Sequence, residues 1–423
     1  MKVLIISTFE IKGGAAVAAN RLLVALRKSG IEANMLVLKK QSDRPFVQSL
    51  QNTPFKQLLA FLFFVMERLS IFILNGFNKK QLYAVSFANT GFDLHRHPLV
   101  QEADIIHFHW INQGLTSIHQ IQALKKTNKP ICWTMHDMWC FSGICHYSGD
   151  CQHYENTCKS CPFMLRSHLE IAQKYLLIKK EAFKNIHFIG VSDWISALAK
   201  KSTILRHNTI SSIPNPIDTE VFKPMDKAIS RAHLGLAQDK NIVLFAAAKV
   251  SDPRKGFQYA LEAIKRLDPA TTAIAILGEI PDEAYTKDLQ LEVFYLGYKQ
   301  KQEDIAEVYS AADVFITPSL EDNLPNTIVE SLSCGTPCVG FEVGGIPQLI
   351  DHQKNGYLAA FKSSDDLFSG IQWCLEHQST CASEARKKIM EGYSEKVITQ
   401  KLLSLYESEI AACKVNDDNA PES

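Results

Sequence analysis

Glu321 and Asp322 lie just before a predicted helix start, Asn323-Leu324-Pro325-Asn326 form the turn, and Glu330 lies inside the helix. Carboxylates ahead of the helix can grip sugar hydroxyls, free amides at its N-terminus can take phosphate, and Glu330 can reach a ribose. One turn thus holds the polar handles of a nucleotide sugar. The alternative is an ordinary capped helix with solvated acids. Lys249 ends a predicted strand, and Asp252-Pro253-Arg254-Lys255-Gly256-Phe257 leads into the next helix. Cations beside a helix N-terminus neutralise the charge that grows as a diphosphate leaves, although a solvated basic turn has the same composition. Gly344-Gly345-Ile346-Pro347 makes a further glycine loop ahead of a helix.

The first half carries a different set. Gly13 and Gly14 follow the first predicted strand and open a helix, where backbone can approach a phosphate, or where they simply make a turn. His107 and His109 close one apolar strand, and His136-Asp137 closes the next. A carboxylate beside a strand-end histidine can orient the ring toward a ligand, with His136 the foremost candidate and a satisfied structural histidine the alternative. Cys145, Cys151, Cys158 and Cys161 then read C-x5-C-x6-C-x2-C, interleaved with His146 and His153. Four thiolates would complete a closed tetrahedral zinc site, structural and not catalytic, with free thiols as the alternative.

Short β-branched runs alternate with helical patterns over the whole chain. Strands are expected at 2–7, 33–38, 104–108, 131–135 and 187–191, then at 242–247, 273–277, 293–295, 314–317, 337–341 and 356–359. Helices are expected at 15–29, 163–183, 257–267, 303–310, 325–334, 364–376 and 394–413. Strand, helix, strand repetition implies parallel sheets covered on both faces, and two such series imply an α/β protein with two doubly wound, Rossmann-like domains. Ligands on such sheets bind beyond the carboxyl ends of the strands, so an interdomain cleft is the expected site. Ile213-Pro214-Asn215-Pro216 ends regular structure near the midpoint. The expected division is 1–215, with a cysteine-rich insertion at 140–161, then 216–393, a helix over 394–412 packing back on the first domain, and a disordered tail over 413–423.

At 423 residues the chain suits two or three domains of about 150 residues each. Its 45 Lys and Arg balance 45 Asp and Glu, so no basic excess marks nucleic acid as a partner. MKVLIIS is too short for a secretory core and reads as a buried strand, which places the chain in the cytoplasm. The longest apolar stretch, 55–77, is interrupted by Glu67 and Arg68, with Lys56 before it and Lys79 and Lys80 after it. A spanning helix wants about 20 nearly uncharged residues, so the expectation is a helix lying in an inner-leaflet interface, or else a core helix under a loop.

The combination resembles the retaining family 4 glycosyltransferases, which have the two-Rossmann glycosyltransferase B fold. The resemblance rests on Gly13-Gly14, His136, Ile213-Pro214-Asn215-Pro216-Ile217-Asp218 with Phe222 and Pro224, Lys249 and Lys255, and 322–330 with Gly335-Thr336-Pro337. The region 133–161 looks like a subgroup found among bacterial polysaccharide-assembly enzymes. The resemblance implies that Glu330, the second acid of the family's Glu-x7-Glu motif, binds the donor ribose. The first acid falls on Asp322, one methylene shorter than the usual Glu, with Glu321 as substitute. Lys249, where the family often has Arg, and Lys255 would hold the diphosphate. Asn323, Leu324, Pro325 and Asn326 would complete the donor site. Gly14 would line the phosphate or acceptor side with Gly13, His109 and Asp137, and His136 would contact the donor sugar near the reacting carbon. With no Asp-x-Asp, cations and helix amides would stabilise the leaving diphosphate, no metal cofactor would be required for catalysis, and zinc would be structural only. The implied partners are a nucleoside-diphosphate sugar and a glycan or lipid-linked acceptor in cell-surface polysaccharide synthesis. Two other readings share the fold: a nucleotide-sugar epimerase, and a non-catalytic scaffold of a polysaccharide complex.

Overall fold

Two parallel sheets organise the molecule. The structure is a computed structural model that describes residues 1–249, 252–279 and 286–418, without the side chains of 248, 249 and 416–418. The chain divides into two units, Met1–Asn215 together with the segment from Ile398 onward, and Pro216–Val397.

The first unit contains β1 (Lys2–Phe9), β2 (Glu32–Lys39), β3 (Val47–Ser49), β4 (Ile105–Phe108), β5 (Ile131–Met135), β6 (His187–Gly190) and β7 (Ile210–Ser212), in the order β3-β2-β1-β4-β5-β6-β7. The second contains β8 (Asn241–Lys249), β9 (Thr272–Glu279), β10 (Glu292–Gly297), β11 (Val314–Thr317), β12 (Cys338–Phe341) and β13 (Gly356–Ala359), ordered β10-β9-β8-β11-β12-β13. Every neighbouring pair is parallel. The central strands are buried on both faces, which is why β5 reads as the unbroken run ICWTM and not as an alternation. The three-residue strands β3 and β7 close the two edges of the first sheet and are too short to show any period.

Six helices carry the argument: α1 (Gly14–Lys28), α2 (Pro54–Leu74), α3 (Ile171–Ala182), α4 (Phe257–Ile264), α5 (Asn326–Ser333) and α6 (Glu395–Asp418). The expected helix over 163–183 is shorter than its apolar pattern. Glu170 has a left-handed φ of 50°, and the segment before it is drawn aside, with the Leu165 N–H bonded to Asn75 Oδ1 at 2.6 Å. The expected disordered tail also starts too early, because α6 continues to Asp418. No helix breaker precedes Pro421, and residues 419–423 lie outside the described residues.

From Ile398 onward α6 packs under the first sheet, with Ile398, Leu402, Leu405 and Tyr406 joining a core that includes Val3, Ile5, Leu22 and Met35. Two strand histidines anchor it. His107 Nδ1 lies 2.6 Å from the Tyr406 hydroxyl, and His187 Nδ1 lies 2.8 Å from Glu409 Oε1. Nearly 300 residues separate the first pair, so neither histidine announces its role in sequence.

Helix α2 turns a charged pair inward beside Ala60 and Ile71 and large apolar side chains outward. Thr53 caps it, accepting the Lys56 N–H at 3.2 Å, and Pro54 opens the first turn. Glu67 and Arg68 are buried and paired at 3.0 Å. Glu67 Oε1 accepts the N–H groups of Phe87 and Ala88, both at 2.9 Å, and Arg68 donates to the carbonyls of Leu82 and Val85. The two charges that interrupt the apolar stretch therefore clamp the helix to the strap beside it. Phe55, Leu58, Phe61, Leu62, Met66 and Leu69 face outward, each at least 41% exposed. Among the described residues, α2 alone is long and apolar enough to cross a membrane, by length and composition only.

Candidate active site

In the second sheet the chain runs outward from β8 through β9 to β10, then returns past β8 to β11. The strand order therefore reverses between β8 and β11, and a crevice beyond the carboxyl ends at such a reversal is where open sheets take ligands. The loop after β8 carries Lys255 and the loop after β11 carries Asp322. They meet there, with Lys255 Nζ 2.6 Å from Asp322 Oδ2 and both side chains partly accessible.

Backbone contacts hold the two loops in place. The Leu320 N–H donates to the Arg254 carbonyl at 2.7 Å, and the Gly345 N–H donates to the Asp322 carbonyl at 3.1 Å. Gly256 has φ 64°, and a Cβ there would stand 1.9 Å from the Pro318 oxygen. Gly344 has φ 60°, and its Cβ would stand 2.0 Å from the Asp322 oxygen. Only glycine permits both approaches, so the second glycine loop sets the height of Asp322. Ser319 Oγ donates to the same carboxylate at 3.4 Å.

Pro325 stands at the N-cap position of α5, and Asn326 is the first residue of that helix. Asn323 and Leu324 are buried, and Glu321 and Asn326 are half-buried. Glu330, inside α5, is buried and accepts the Tyr309 hydroxyl at 3.3 Å. Burial and the neighbouring Glu330 carboxylate push the Tyr309 hydroxyl well above its ordinary pKa, so it stays a donor. Tyr309 was not legible as a site residue, because its motif is only a helical apolar position. Lys249 ends β8 in register with Glu279, at the same carboxyl edge, and its side chain lies outside the described residues.

The first unit gathers the other candidates at the carboxyl ends of β1, β4 and β5. Gly13 caps α1 and Gly14 begins it. Buried Glu10 ties the loop after β1 to the loop after β2 through Ser42 and the Gln41 amide. His109 Nδ1 is 2.8 Å from His136 Nε2, with the rings stacked 5.1 Å apart. Burial lowers His136 to about 4 against the pull of Asp137, and burial lowers His109 well below its ordinary value, so both are neutral near pH 7. The buried Nε2 of His109 has no hydrogen-bond partner among the described residues.

Asp137 has a different role from the expected orienter of His136. Its Oδ2 binds His146 Nδ1 at 2.7 Å and the Trp110 indole N–H at 3.1 Å, and its Oδ1 takes the Trp139 amide at 2.9 Å. Burial raises its pKa, but the charge and hydrogen bond of His146 and the two tryptophan N–H groups outweigh burial and hold the carboxyl below its usual range. His146, which sequence reading noted only between cysteines, is thereby part of this cluster.

Comparison with known proteins falls on the same geometry. Residues 240–377, which span both loops of the Lys255–Asp322 pair, match the model described as glycosyl transferases group 1. A D-inositol 3-phosphate glycosyltransferase of Mycobacteroides abscessus is 30% identical over 205 residues, covering 46% of this chain and 45% of the relative. An Escherichia coli UDP-Gal:α-D-GlcNAc-diphosphoundecaprenol α-1,3-galactosyltransferase is 27% identical over 213 residues, covering 47% and 54%. The chain thus spans about half the length of the curated relatives it matches. Among solved structures, sucrose-phosphate synthase from Thermosynechococcus elongatus aligns with a TM-score of 0.68 at 19% identity, covering 97% of this chain and 99% of the other. Anabaena HepE in complex with UDP-glucose aligns at 0.63 and 18%, covering 96% and 100%. These likenesses establish the glycosyltransferase B fold for the whole chain, and the part of the second unit that holds the paired loops is similar to group 1 glycosyl transferases.

Proposed function

We propose that the protein is a retaining glycosyltransferase that moves a sugar from a nucleoside-diphosphate sugar to a glycan or lipid-linked glycan in cell-surface polysaccharide synthesis. The observation that carries this reading is the Lys255–Asp322 pair, set at the strand-order reversal inside the group 1 domain. An incoming diphosphate competes with Asp322 for the Lys255 ammonium, and its arrival releases Asp322 to accept a sugar hydroxyl. Lys255, Lys249 and the α5 amides then stabilise the charge that develops on the leaving diphosphate. Glu330, held by Tyr309, takes the ribose. Neutral His136 offers the sugar a hydrogen bond, and burial, which lowers it to about 4, leaves it too weak a base to take the acceptor's proton, which passes to the departing phosphate oxygen. The buried Nε2 of His109 suits a hydroxyl on the acceptor side. The UDP-glucose in the HepE structure makes uridine diphosphate sugars the first donors to test.

Calorimetric titration with a panel of nucleoside diphosphates and their sugars, in excess chelator, tests the donor. One nucleotide should bind selectively, and Lys255→Ala should abolish the heat. A chain that binds no member of the panel would overturn the reading.

The lipid-linked acceptor is supported by α2, whose outward residues are apolar and whose flanks carry Lys56, Lys79 and Lys80. A helix of this kind beds into the headgroup boundary of an anionic bilayer. The undecaprenol acceptor in the name of the Escherichia coli relative agrees with that placement. The protein should sediment with anionic vesicles at low salt and progressively less as salt rises. Leu58→Ser/Phe61→Ser/Leu62→Ser should stay in the supernatant with its melting temperature unchanged, since all three side chains are exposed. Wild-type protein left in the supernatant at low salt would sink the membrane reading while leaving the donor site untouched.

A further inference from the structure

Four cysteines in the first unit, spread over 17 positions of sequence, line one small cavity. Cys145, Cys151, Cys158 and Cys161 surround a space of about 10 Å³, with His153 and Tyr154 beside them. That is about the volume of one water-sized sphere, too small for an organic ligand and suited to a single ion. Cys145, Cys158 and Cys161 are buried and Cys151 is half-buried. Among the described residues no three His, Cys, Asp or Glu side chains stand in a metal-holding arrangement, so binding an ion requires the four sulfurs to close on it.

The backbone is shaped for sulfur ligation. Cys158 and Ser160 both adopt left-handed φ, 51° and 49°, which folds the Cys158-to-Cys161 hairpin into a tight knuckle. Burial pushes the Cys158 and Cys161 thiols up to about 11, opposed in part by the backbone N–H of Gly143 at Cys158 and those of Phe163 and Met164 at Cys161. Gly143 itself has no room for a side chain, since a Cβ would lie 2.4 Å from the Ala172 oxygen at the start of α3.

A second observation concerns charge. The Lys179 side chain on α3 is fully buried, with Nζ 2.6 Å from the Trp139 oxygen, 3.2 Å from the Ser142 oxygen, and 3.6 Å from the centre of the Trp139 ring. Cys140, Cys145, Cys158 and Asp137 lie near enough for their charges to act on it. Burial lowers Lys179 to about 7 against the opposing charges beside it, and the two net negative charges of a divalent ion with four thiolates would favour its protonated form.

We propose that Cys145, Cys151, Cys158 and Cys161 bind one zinc ion in a closed, structural tetrathiolate centre. Each coordinated thiol yields its proton to solvent, and no redox change is involved. The ion fixes the loop that carries His146, so it stabilises the Asp137–His146–Trp110 cluster without touching substrate.

The test uses the full chain, purified without a metal-binding tag from zinc-supplemented cells and dialysed. Elemental analysis should give about one zinc per chain, released to a chromogenic chelator as a mercurial titrates the thiols. Thiol titration in denaturant without reductant should count all 11 cysteines. Cys158→Ser/Cys161→Ser should fall below about a tenth of a zinc per chain, and Cys413→Ser should keep its zinc. If the double variant fails to fold, cobalt in the wild-type chain should show the ligand-field bands of a tetrahedral thiolate site. A folded wild-type chain with less than a tenth of a zinc, or disulfides mapped among the four cysteines, would overturn the proposal.

Discussion

Lys255→Ala should lower kcat/KM for sugar transfer by about 10²–10³-fold, the usual loss when one fixed donor is removed from charge that develops in the transition state. The side chain lies at the reversal between β8 and β11, with Nζ on Asp322 and about a third of its surface accessible. A pair of that exposure contributes at most about 1 kcal/mol to stability, so the melting temperature should hold while turnover falls. Lys255→Arg keeps the charge and should recover part of the loss. Asp322→Asn should behave differently. It frees the ammonium without removing it, so affinity for the bare diphosphate should hold or rise while the sugar nucleotide loses its advantage. Initial rates of nucleotide release, with melting curves on the same preparations, check both variants. Turnover within about threefold of wild type in Lys255→Ala would end the proposed role of the loop in diphosphate departure.

Local chemistry was readable where one segment carried it. Strands 131–135, 314–317 and 356–359 have the same bounds in sequence and structure, the first two because buried parallel strands are continuous apolar runs ended by turn residues. The acids before α5 and the lysine before α4 were visible separately. Their pairing was not, because Lys255 and Asp322 are 67 positions apart and the register is set by Gly256 and Gly344 packing on carbonyls of another loop. The cysteine spacing was plain in sequence, whereas the shared cavity depends on left-handed turns at Cys158 and Ser160, which carry no sequence signal of their own. Helix 163–183 failed for the opposite reason. Its apolar pattern continues through residues whose backbone is committed to Asn75 and the cysteine knuckle. Glu67 and Arg68 read as interruptions of an apolar stretch, and only the strap at 82–88 shows that they face the protein and the phenylalanines face out.

The buried histidines should make the first unit acid-sensitive well above the carboxylate range. Burial, then the charges of His136 and His187, lowers His107 to about 3, and burial lowers His136 to about 4 against the opposing charge of Asp137. In the unfolded chain each ring takes its proton near the ordinary value of about 6.5. Between those limits the unfolded chain binds more protons than the folded one, so stability is complete above about pH 6.5 and falls as pH drops toward the folded values. At pH 5 each ring costs about 2 kcal/mol, or about 4 kcal/mol for the pair, and His109, shifted the same way by burial, adds to it. Urea unfolding at pH 7.5 and pH 5.0 reads this directly. Tryptophan fluorescence reports mainly on the first unit, which holds Trp110, Trp133, Trp139 and Trp194, while Trp373 lies in the second. The midpoint should fall on acidification, and His136→Asn should flatten the dependence by removing one of the titrating rings. Equal midpoints at the two pH values would show that these rings do not resist protonation, and with that the assignment of His136 as a neutral hydrogen-bond donor to the sugar would fall.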